Sequence, residues 1–175
     1  MWWHTLIYRF RQVRQQLGFV APLSTTDDAE VARWLSPAAF ALFKTMSAAD
    51  QQHSLRVCRG LQARGCTDTD MLAAALLHDV GKAEGRVPFW TRPAIVIGKT
   101  CAPALLHRLI VTPEQLFHAV QPRWQRSLSY AWWHAEVGAE MAARAGLSER
   151  AVLYIRTHHQ LHGPAAELHS LDEVS

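Results

Sequence analysis

The chain of 175 residues is 49% apolar and 19% charged, with a formal net charge of +3. That length accommodates one core with a short extension, and that composition excludes a disordered or collagen-like chain. The basic balance is too mild for a nucleic-acid-binding face, and Cys58, Cys66 and Cys101 form neither a CxxC pair nor an even disulfide framework, which fits a reducing compartment.

Near the start, Trp3, Leu6, Ile7, Phe10, Val13 and Leu17 share one helical stripe, with Gln and Arg opposite and Gly18 as the stop. A basic, Trp-bearing amphipathic helix of this kind either docks on the domain and closes its core or makes peripheral contact with a membrane surface through residues 1–18. His4, Arg9 and Arg11 break up any signal-peptide core, so a cytoplasmic location is expected. Residues 19–26 read as a linker.

Helices are then expected from Asp27 or Asp28 and from Ser36, where Pro37 takes the first helical position. Ser47 caps the next, with Asp50 three residues on, and Gly65 ends it after Arg64. A further helix spans Thr69 to Val80 and stops at Gly81, followed by a loop rich in Gly, Pro and aromatic residues from Gly85 to Pro93. The apolar run from Val87 to Val111 is interrupted by Arg92, Pro93, Lys99, Pro103 and Arg108, short of the roughly 20 consecutive apolar residues that a spanning helix needs. Thr112-Pro113-Glu114 opens a helix through Val120, and Ser127 or Ser129 opens a long one to Ala145, with Gly146 as its cap. Ser148 starts another, which carries His158 and His159 and breaks at Gly163-Pro164. A short helix from Ala165 completes the pattern. No strand-like alternation occurs, so the expected fold class is all-α.

Histidine is the unusual component, with ten in the chain. His53 shares a stripe with Val57 and Leu61; His78 stacks above Met71, Ala74 and Ala75; Asp79 stacks above Leu72, Ala75 and Leu76. His134 aligns with Tyr130, Val137 and Met141, His158 with Tyr154 and Ile155, and His159 with Val152 and Ile155. Any one such histidine is ordinarily a core residue satisfied by a backbone carbonyl. Five inward histidines with an inward aspartate are better explained together by a metal centre, because titratable groups on inward faces are costly unless paired or coordinated. Mixed nitrogen and oxygen donors without cysteine favour Mn, Fe, Mg, Ni or catalytic Zn over structural zinc. His4, His107, His118, His162 and His169 fit no such grouping and read as surface or structural.

His53, the string Leu76-Leu77-His78-Asp79-Val80-Gly81-Lys82, His134, the pair His158-His159 and a late Asp172 resemble the HD-domain metal-dependent phosphohydrolases. The resemblance covers residues 47–175, leaving residues 1–46 as an N-terminal helical extension. It implies a helical bundle with His53, His78, Asp79 and Asp172 as shared ligands, Asp79 bridging two divalent ions. His134, His158 and His159 would be the extra ligands of binuclear, HD-GYP-like members. The Gly-Tyr-Pro element of that branch is replaced by Gln160-Leu161-His162-Gly163-Pro164. Lys82 resembles the lysine placed near the phosphate, with Asp79 as its catalytic companion. The implied activity is hydrolysis of a phosphoester of a nucleotide or other small phosphorylated molecule. The alternatives are a di-iron oxygenase on the same fold and a non-enzymatic regulatory module at a membrane surface.

Overall fold

Side-chain caps set most of the helix starts. The computed structural model describes residues 20–84, 88, 91–118 and 120–174. Within them, α1 (Thr25–Val31) opens with a capping box: Ser24 Oγ accepts from the Asp27 amide at 3.1 Å while Asp27 Oδ2 accepts from the Ser24 amide at 3.2 Å. Asp27 is therefore the third helical residue rather than the cap, and the helix begins earlier than expected, inside the segment read as a linker. Ser36 caps α2 (Pro37–Phe43) and Ser47 caps α3 (Ala48–Ala63), as their sequences indicate. Asp68 caps α4 (Thr69–Leu77), its carboxylate accepting from the Asp70 and Met71 amides.

Two glycine stops hold as expected: Gly65 follows α3 and Gly146 follows the helix that ends at Arg144, with φ of +86° and +84°. Gly81 does the opposite of what its sequence suggests and opens a short helix, α5 (Gly81–Glu84). The apolar stretch beyond it forms two helices, α6 (Thr91–Cys101) and α7 (Pro103–Leu109), followed by α8 (Pro113–His118). The long helix α9 (Arg123–Arg144) begins before either serine proposed as its start. Ser148 caps α10 (Glu149–Thr157), and α11 (Ala166–Asp172) follows. The amphipathic stripe of residues 3–17 and the loop residues 85–87, 89 and 90 lie outside the described residues.

The described residues form helices and no strands, so the all-α class holds. α9 lies against α5 and α10, α4 against α3 and α10, and α11 against α3. Their shared core contains Val57, Leu61, Leu72, Leu76, Leu77 and Ile155, all fully buried. Val31, Leu35, Ala39, Phe43 and Met46 belong to the same buried cluster, so α1 and α2 pack into the core of the helices that follow. No helix among the described residues is long and apolar enough to cross a membrane.

Candidate metal centre

α4 ends at Leu77, leaving His78 as its C-cap and Asp79 in the following turn. α10 repeats the device: it ends at Thr157, with His158 as C-cap and His159 next. In each case a buried ring donates Nδ1–H to the carbonyl three residues back, His78 to Ala75 at 2.8 Å and His158 to Ile155 at 2.7 Å. His134 makes the same bond to Ala131 at 2.9 Å, immediately after Trp133, where α9 departs from helical geometry (φ −100°, ψ 16°). A carbonyl can only accept, so these bonds place the proton on Nδ1 and leave Nε2 of each neutral ring with a free lone pair.

Those Nε2 atoms converge. The ligand atoms of His53, His78 and Asp79 form one group and those of His134, His158 and His159 a second, each spanning at most 4.8 Å. Asp79 touches both: Oδ2 lies 3.8 Å from His78 Nε2, and Oδ1 lies 3.8 Å from His134 Nε2. The His158 ring sits between them, its centroid 5.2 Å from that of His78 and 5.4 Å from that of His134. Asp172 joins the first group through Oδ1, 2.8 Å from His53 Nε2 and 3.4 Å from His78 Nε2. In the second group, His134 Nε2 and His159 Nε2 stand 2.8 Å apart. Two imidazole nitrogens at that distance share either a proton or a cation.

Burial and charge compete at these groups. Burial opposes ionisation of Asp79, but Lys82, His78 and His134 outweigh it and hold the carboxyl well below the usual carboxylate range. Asp172 is likewise lowered, burial being overcome by its hydrogen bond with His53 and by the nearby His78 ring. Burial would lower His78, yet Asp79 and Asp172 raise it. Burial, reinforced by Lys82, pushes His134 down to about 3, and burial with His78 pushes His158 down to about 2. His159 is lowered by burial of its ring and by Lys82. His134 and His158 are thus neutral at neutral pH, the form in which imidazole binds metal.

Metal ions fit this arrangement on a specific observation. His78 Nε2 and His158 Nε2 are buried and have no hydrogen-bond partner, the Asp172 oxygen near His78 lying outside hydrogen-bonding geometry. A buried lone pair left unmatched is costly, and a cation satisfies it. All seven ligands expected from the sequence lie in this one cluster, and Lys82 lies beside it, Nζ 2.5 Å from Asp79 Oδ2. His159 corrects one expectation. It sits on the exposed turn after α10 rather than on an inward helical face, and reaches His134 from the rim.

Sequence reasoning missed two supporting features. His169 donates Nδ1–H to the His158 carbonyl at 3.1 Å, buttressing the turn that carries the histidine pair, and nothing in its spacing signalled this. Gly81 lets α5 close on α9: a Cβ there would fall 2.1 Å from the His134 carbonyl oxygen and 2.8 Å from the Gly138 amide nitrogen. Of the other histidines, His107 packs edge-on against Trp132 and His162 is exposed. No family model, curated protein or solved structure matches the chain.

Proposed function

We propose that the protein is a metal-dependent phosphohydrolase of the HD-domain kind, acting on a nucleotide or another small phosphorylated molecule. The observation that carries this reading is Asp79, whose separate oxygens stand 3.8 Å from the Nε2 atoms of His78 and His134. A carboxylate so placed suits bridging between two cations. His53, His78, Asp79 and Asp172 would hold one ion, and Asp79, His134, His158 and His159 the other. Two divalent ions, drawn from Mn, Fe, Mg, Ni or Zn, would supply a nucleophile from water at neutral pH and neutralise charge on phosphoryl oxygens.

The chain's own contribution is orientation. His78, His134 and His158 present Nε2 in a fixed direction because their Nδ1–H groups are tied to backbone carbonyls. Their burial excludes competing water. Lys82 is a cation beside the ligand set, and it would meet a phosphoryl oxygen of the substrate once Asp79 is coordinated.

Elemental analysis after reconstitution, followed by a panel of phosphomonoesters and phosphodiesters, tests the proposal. About two ions per chain are expected, with hydrolysis that chelation abolishes. Lys82→Ala is expected to lower turnover and leave metal content unchanged. A chain that binds no ion under any reconstitution would sink the reading. Oxygen consumption by iron-loaded protein without phosphoester hydrolysis would replace it with an oxidative one, and metal without either activity would leave a regulatory module.

A further inference from the structure

The α6–α7 hairpin has a surface of different chemistry. Val96 is 63% exposed, Ile97 60% and Leu105 57%. The hairpin is closed from its inner side, where Leu106 is buried and its methyl groups would crowd a Cβ at Gly98. It rests on the first half of α9: Gln125 Nε2 donates to the Leu109 carbonyl at 3.0 Å, and His107 packs on Trp132. Around that end of α9, Trp124 and Val120 are exposed as well. Five of the eight large apolar side chains exposed among the described residues therefore fall between residues 96 and 124. Concentration of that kind marks an interaction surface, whereas single exposed apolar residues are ordinary.

Charge identifies the partner. Between residues 85 and 135 the sequence holds six Arg or Lys residues against one acid, Glu114, in a chain whose formal charge is only +3. The rest of the chain is consequently net acidic. Arg108, Arg123 and Arg126 are all exposed in this basic stretch. Apolar side chains flanked by arginine suit the boundary between headgroups and acyl chains, where apolar contact and attraction to anionic lipid act together. We propose that the α6–α7 hairpin and the adjoining start of α9 dock on an anionic lipid surface. The inference stands apart from the metal centre. Residues 1–18 carry Arg9, Arg11 and Arg14 with no acid, so they are the rival source of any lipid binding.

Co-sedimentation of the full chain with phosphatidylcholine vesicles, with and without phosphatidylserine, tests the proposal. Binding is expected only with phosphatidylserine, weakening as salt screens the arginines. The double variant Ile97→Glu/Leu105→Glu, changed at exposed positions, should keep its helicity and melting temperature and lose about tenfold or more in vesicle partitioning. A paired variant, Ile7→Glu/Phe10→Glu, reports on the rival segment. Vesicle binding abolished by that pair and untouched by Ile97→Glu/Leu105→Glu would overturn the assignment. So would no binding to either vesicle, or a dimer that Ile97→Glu/Leu105→Glu converts to monomer, which would make the face a contact between two copies of the chain.

Discussion

Asp79 faces both histidine groups at once, so a change there separates a metal bridge from an ordinary helix-end carboxylate. Asp79→Asn keeps the size of the side chain and removes the full negative charge that both ions would share. Phosphoester turnover is expected to fall by about two orders of magnitude, the scale of losing one preorganised electrostatic contact. Metal content should fall with it, and a fully active, metal-replete Asn variant would overturn the assignment. His134 and His158 support a second prediction, concerning pH. Both rings are held below their ordinary 6.5, His134 to about 3 and His158 to about 2, burial being the main cause. Below 6.5 the unfolded chain takes up protons at these positions that the folded chain does not, so stability falls as pH drops from 6.5 towards 3. His78 is shifted upward by Asp79 and Asp172 and works in the opposite sense, its contribution being lost as pH rises. That loss falls above 6.5, so it does not oppose the decline below it, to which the lowered His159 adds. The denaturation midpoint of metal-free protein should therefore decline between pH 6.5 and 4, and a flat or rising midpoint would mean that the rings titrate freely. These residues were legible in the sequence because titratable groups on apolar stripes stand out. The tie of each Nδ1 to the carbonyl three residues back was not, because it depends on the side-chain rotamer as well as on spacing.

At the scale of the element, the centre depends on where helices stop. Neighbouring residues on a continuing helix point about 100° apart and do not face one site. By ending at Leu77 and Thr157, α4 and α10 free the turns that bring Asp79 beside His78 and His159 beside His158. A sequence expectation that ran the first helix to Val80 and carried both histidines inside the other therefore placed the right residues for an incomplete reason. Gly81 shows the same limit. In sequence it looks like a helix stop, since glycine commonly follows a C-terminus. In the fold it is the point where α5 touches α9, with no room for a methyl group against the His134 carbonyl. Gly81→Ala is expected to destabilise the protein by about 1–3 kcal/mol through overpacking, despite the better helix propensity of alanine. Gly65→Ala is the control: its Cβ would meet nothing within 4 Å, so only the cost of φ +86° remains, about 1 kcal/mol. Chemical denaturation of both variants checks the order, and Gly81→Ala should also bind metal more weakly, because Asp79 and Lys82 flank the displaced turn. Equal losses for the two variants would remove the close α5–α9 contact from the account.

For the whole molecule, the seven candidate ligands come from helices and turns spread between residues 53 and 172, so metal binding by them would be linked to folding. A cation that binds the folded chain alone raises stability with the logarithm of its concentration over its dissociation constant. Chelation should lower the melting temperature, and adding back the native metal should restore it in a concentration-dependent way. An unchanged melting temperature after complete metal removal would mean that the buried histidines are satisfied without a cation. Composition and helical periodicity by themselves determined the all-α class, the serine caps at Ser36, Ser47 and Ser148, the glycine stops at Gly65 and Gly146, and the set of polar residues facing the core. Those are local properties: a cap is a bond to an amide three residues away, and a stripe needs only the helical repeat. The tertiary structure alone decided that Asp172 meets His53 across 119 residues of chain, that Asp79 divides its oxygens between two histidine groups, and that His159 reaches in from the rim. It also decided that α1 and α2 share the core and that the stretch after residue 91 is helical. Such relations arise from which helices pack together and how closely, and packing compares surfaces far apart in sequence that no local pattern encodes.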